Sequence, residues 1–191
     1  MGKFIRLITR YKYNHISLSL TPDLQKLYSF ARYSLESPFV GGFVEETISR
    51  YFNAKTPVVV KICEIEIDSS KYAELCNHLE EMNNDSSQYI YNTISAVTSI
   101  LNRRVVISNA YTCIEFISTL LFKINVINDN KIYRISRLDK ILSNYEIYNG
   151  DIKNYIDVEE NKSDIFYIKK SWFVVLKETF GHIKELFYRW I

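Results

Sequence analysis

Residues 107–121, ISNAYTCIEFISTLL, form the stretch on which the fold turns. A short extended run covers 104–109, and from Cys113 onward Ile114, Ile117, Leu120 and Leu121 recur at helical spacing. The order is strand, break, helix, with a cysteine in the first helical turn. A helix N-terminus carries about half a positive charge together with unsatisfied N–H groups. Both favour thiolate over thiol. The same N–H groups can hold a developing oxyanion.

Such a thiol needs a base, and the chain has three histidines. His78 stands beside Glu80 and Glu81, off the apolar stripe of its helix, and is expected at the surface. His182 stands near Lys184 and Glu185 and is expected there too. His15 opens an alternating run, HISLSL, in which it shares a face with Ser17 and Ser19. Small side chains on that face leave room for a helix start to approach, so His15 is the candidate base. A satisfied core histidine is the structural alternative. Of the three cysteines, Cys63 falls on the apolar face of a strand and Cys76 on the apolar stripe of a helix, so both read as small core hydrophobes. There is no CxxC, so neither a disulfide framework nor a metal site is expected. No cofactor motif is present, and reduced thiols fit a cytoplasmic setting.

Outward from these positions, helices and strands mix. Residues 3–11 suggest a short helix, and His15–Leu20 with LYSFAR (27–32) suggests a hairpin across the TPD turn at 21–23. SPFVGGFVEE (37–46) reads as a loop because of Pro38 and the Gly41–Gly42 pair, which would also let it lie close to a cleft. Residues 57–67 alternate as a half-buried strand. Residues 68–82 form a helix that Asp68 can cap, 89–101 suggest another, and 144–150 a strand. Residues 1–156 are expected to form one α+β domain with a small, mostly antiparallel sheet, followed by a polar linker over 157–164 and a helical extension over 165–191.

The chain has 191 residues, enough for a sizeable core without staples. Its formal net charge of +2 is too small to argue for nucleic acid, and without a basic patch no nucleic-acid partner is expected. No run approaches the ~18 consecutive apolar residues of a membrane span.

The ordered set YNHISLSL, LYSFAR, PFVGGFVEE, YTCIEFISTLL and NYEIYNGDIKNYI resembles the circularly permuted papain-like proteins of the NlpC-like superfamily, closest to an uncharacterised bacterial branch. The resemblance spans roughly residues 3–156. It implies a Cys-headed helix packed on a small antiparallel sheet that carries the histidine, with His15 preceding Cys113 in the permuted order. It also implies thiol-based hydrolysis or acyl transfer on a peptide, amide or lipid ester. Two departures stand out. The family commonly has a further strand before its first helix, and a small residue and Gln after the cysteine, where Ile114 and Glu115 stand here. Glu115 is expected to point outward, since an inward carboxylate would oppose thiolate formation.

A base of this kind is held by a third group. Ser29 on LYSFAR is the candidate, with Tyr28 and Asn14 as rivals, and Tyr13 is a further candidate oxyanion donor. The tail places Trp172, Leu176, Phe180, Ile183, Phe187 and Trp190 at helical spacing among lysines. Such a helix can pack on its own domain, dock on a protein partner or lie in a membrane interface.

Overall fold

Strand β1 (Lys26–Arg32) runs antiparallel to β2 (Gly41–Thr47) in full register, from Lys26 opposite Thr47 to Arg32 opposite Gly41. In this computed structural model, residues 11–52, 56–99, 103–131, 134–157 and 165–191 are described. The stretch expected as a loop is therefore mostly strand. Its two glycines are there because the strand is crowded. A Cβ on Gly41 would fall 2.1 Å from the Ala31 carbonyl oxygen, and one on Gly42 would fall 2.2 Å from that of Tyr89. Glycine here permits close approach of backbones.

The four-stranded sheet has the order β1-β2-β4-β5, where β4 is Ile90–Tyr91 and β5 is Ala110–Tyr111. The last pair is parallel, so the sheet is mixed. A second, antiparallel sheet joins β3 (Val59–Cys63) to β6 (Glu146–Asp151). Six helices occur among the described residues: α1 (Ser49–Phe52), α2 (Ser69–Asn84), α3 (Thr93–Thr98), α4 (Cys113–Lys123), α5 (Ile135–Ile141) and α6 (Trp172–Trp190). The architecture is α+β.

Several boundaries differ from the sequence reading. His15–Leu20 does not form a full strand; it meets β1 at one bridge, Leu18 to Tyr28, with hydrogen bonds of 3.0 and 2.7 Å. The helix expected over 89–101 begins only at Thr93. Ile90 and Asn92 give their N–H groups to the carbonyls of Asn109 and Tyr111, so sheet pairing overrides the helical period. Asn92 then caps α3, accepting from the Ser95 N–H at 2.8 Å. Asp68 caps α2 through the Lys71 N–H at 2.9 Å. The helix expected over 3–11 lies outside the described residues, except for Tyr11, as does the linker except for Asp157.

The main core forms where α4 and α2 meet the large sheet. Phe30 and Phe43 face Phe116 of α4 at ring-centroid distances of 5.2 and 5.7 Å, and Leu75, Leu79, Leu120 and Leu138 extend the cluster. Rings at this spacing add edge and tilted contacts to the burial itself. This seam fixes the helix headed by Cys113 against β1 and β2.

Candidate active site

A tight turn delivers Cys113 to its place. Ile107 and Ala110 form an isolated bridge, and Asn109 between them has φ 52°, a left-handed conformation that asparagine tolerates. β5 follows, and Thr112 caps α4. The Thr112 hydroxyl accepts from the Glu115 N–H at 3.2 Å, while the Glu115 carboxylate accepts from the Thr112 N–H at 2.7 Å. This reciprocal pair is a capping box.

Glu115 therefore points inward, contrary to the outward position expected for it. It is buried, and besides Thr112 it holds the Ser95 hydroxyl at 2.6 Å and the Arg104 guanidinium at 3.1 Å. Its charge serves the helix start and Arg104. The periodicity misled because a residue in the third position of a helix bends back over the cap.

His15 lies against Cys113, and contact with the sulfur is one of the influences on its imidazole. The Nε2 atom of His15 is sealed from solvent, although 28% of the side chain is exposed. It stands 3.4 Å from Glu46 Oε2, an ion-pair separation. Burial pulls the imidazole pKa down, but the charge of Glu46 and the Cys113 contact outweigh it, so the net shift is upward. Glu46 moves the opposite way. Burial raises its pKa, and His15, Arg50 and Tyr51 together hold it below the ordinary carboxylate range.

Glu46 is the site residue that sequence reasoning missed. It is 2% exposed near the end of β2. Arg50 Nη1 donates to its Oε1 at 3.1 Å and the Tyr51 hydroxyl to its Oε2 at 2.7 Å. The short helix α1 thus brings two donors to the carboxylate that faces His15. A signal was available. Glu45 and Glu46 are adjacent, and in a strand adjacent side chains point to opposite faces. One of the two had to turn inward; reading 37–46 as a loop hid this. Glu45 is the outward one and pairs with Lys26 at 3.1 Å.

Ser29 does not take the role expected of it. It is fully buried, and its hydroxyl donates to the carbonyl of Ile16 at 2.7 Å. It fastens the backbone next to His15, while the group facing the ring is Glu46. The Tyr13 hydroxyl donates to Asn149 at 3.1 Å. Tyr28 stacks on Phe43 at 6.2 Å. Tyr51 and Tyr91 lie close enough to Cys113 for mutual electrostatic influence. Burial raises the phenol pKa of both, so both keep their protons as donors. Cys113 itself is 6% exposed.

The other candidates fall elsewhere. Cys63 is half-buried and its thiol donates to the Leu142 carbonyl at 3.3 Å. Cys76 is half-buried on α2. His78 is also half-buried, and burial with Lys123 nearby lowers its pKa. His182, expected at the surface, is buried, and its Nε2 donates to the Tyr91 carbonyl at 2.8 Å. Among the described residues no cluster of three potential metal ligands occurs. No known protein family, curated protein or solved structure matches the chain.

Proposed function

We propose that this protein is a thiol hydrolase or acyltransferase acting on an amide or ester bond, with a permuted papain-like arrangement of its α+β fold. The observation that carries this reading is the contact series Cys113, His15, Glu46, in which a helix-head thiol meets an imidazole backed by a buried carboxylate. The roles follow from the chemistry. The His15 imidazole carries the proton of the Cys113 thiol, and the thiolate so formed bonds to the substrate carbonyl carbon. The C–N or C–O bond then breaks, and the leaving group departs with the proton from His15. Water or a second acceptor displaces the sulfur in the reverse sense. In this reading the N–H of Cys113 at the head of α4 receives the oxyanion. Glu46 orients the ring and stabilises the imidazolium, the role a carboxylate plays in triads of this logic.

A second reading rests on the 6% exposure of Cys113: a scaffold of the same fold that binds without turnover. Alkylation of the full chain by iodoacetamide, followed by mass spectrometry at each cysteine, separates the two. The catalytic reading expects Cys113 to label faster than Cys63 and Cys76, and His15→Ala to slow it at least tenfold. Equal or slower labelling of Cys113, unchanged by His15→Ala, selects the scaffold.

A further inference from the structure

Among the described residues, helix α6 is held to the domain along one edge. Glu178 accepts from the Ser37 hydroxyl at 2.7 Å, His182 reaches the Tyr91 carbonyl, and Leu186 is fully buried with Ile90, Ile107 and Ala110. Arg189 closes the edge on the Gln88 carbonyl. These four positions fall on one side of a helix of 3.6 residues per turn.

A different side carries Phe173, Leu176, Phe180, Ile183, Phe187 and Trp190, all exposed, with Phe180 70% exposed. Solvent-facing apolar rows of this length on a folded domain mark an interaction surface. Charge along its border says what kind. Lys177 and Lys184 each follow a stripe residue directly and so line the border away from the domain. The two acids of α6 are already engaged: Glu178 with Lys170 at 2.7 Å and Glu185 with Arg189 at 2.8 Å. The open side of the helix is therefore apolar with a basic border, and Trp172 and Trp190 stand at its two ends. Tryptophan is enriched where apolar and aqueous phases meet.

A second copy of α6 fits poorly. In an antiparallel pairing along the stripe, Lys177 and Lys184 would confront their own counterparts. In a parallel pairing they would meet the Trp172 and Thr179 positions. Neither arrangement offers a carboxylate.

We infer that α6 docks the protein on an anionic lipid surface, lying in the interface with its aromatic stripe inserted and Lys177 and Lys184 at the headgroups. This stands independently of turnover at Cys113. If both hold, the surface lies close to the site, because His182 on α6 bonds the backbone of Tyr91, whose side chain neighbours Cys113.

The test is co-sedimentation of the full-length protein with vesicles of phosphatidylcholine alone or mixed with phosphatidylserine, at low and high salt. Binding is expected to the phosphatidylserine vesicles and to weaken with salt. K177Q/K184Q should lower partitioning roughly thirtyfold, about fivefold for each lysine. F180S/F187S should abolish it. All four positions are exposed, so both variants should keep the wild-type thermal midpoint, and the lysine pair reads the interface without touching apolar packing. Failure to bind either vesicle, or binding that ignores phosphatidylserine and the lysines, overturns the inference. So does a concentration-dependent dimer, lost in F180S/F187S, with no vesicle uptake; that outcome assigns the stripe to a second copy.

Discussion

Among the described residues Glu46 has three side-chain partners, and the consequences differ for each. Removing its charge in Glu46→Gln leaves burial as the main influence on His15, so the imidazole should titrate at lower pH than in the parent protein. Proton NMR of the three histidines, with the His15 signal identified by its loss in His15→Ala, reads this directly; an unmoved signal would remove Glu46 from the site. The same change replaces the charged partner of Arg50 Nη1 by an uncharged amide. Breaking a buried ion pair from one side costs about 3–5 kcal/mol, so urea unfolding should show a loss of that order. Ser29→Ala makes a useful contrast. It removes one hydrogen bond to the Ile16 carbonyl, worth about 1 kcal/mol, and should leave the His15 titration in place.

At the scale of the element, Thr112 caps the start of α4. Thr112→Ala deletes the acceptor for the Glu115 N–H and leaves the other half of the capping box, the Thr112 N–H to the Glu115 carboxylate, in place. The expected cost is about 1 kcal/mol, within the usual range for a cap, measured as a lower urea midpoint with an unchanged slope. Cys113 labelling should slow as well, because the cap holds the first turn, whose unsatisfied N–H groups favour a negative charge at the helix head. Strand β2 is the other sensitive element. Gly42→Ala would push a methyl against the Tyr89 carbonyl oxygen, backbone that cannot rotate away, and should separate β2 from β4. Its cost should exceed that of Thr112→Ala in the same assay; an equal or smaller loss would mean that the sheet can relax around the added atom.

For the whole molecule, stability should depend on pH through the same pair. The His15 pKa rises from 6.5 in the unfolded chain to about 10 in the folded protein, so the folded state binds the extra proton within that window. Its contribution is complete below about 6.5 and is lost as pH rises through about 10. Glu46 acts at the other end: its pKa falls from 4.5 to about 2, so its contribution is present above about 4.5 and is lost as pH drops through about 2. Unfolding free energies compared at about pH 6 and about pH 9 should fall more in the parent protein than in His15→Gln. Equal slopes would show that the ion pair does not couple to folding.

What the sequence determined by itself was local. Helical spacing after Cys113, the cap at Asp68 and the stripe on α6 depend on neighbours within a turn or two, and a single sequence contains those neighbours. The mixture of elements that makes the chain α+β follows from the same periodicities. The candidates Cys113 and His15 were also legible, as one cysteine and one histidine in positions unlike the others. Tertiary structure decided the rest. Ile90 and Asn92 joined a sheet because partners near position 110 supplied their hydrogen bonds. Gly41 and Gly42 became strand because two backbones press on them. Glu115 turned inward toward Ser95 and Arg104, and Glu46 rather than Ser29 came to face His15, because the balance between burying a charge and finding it partners is struck only when distant segments meet.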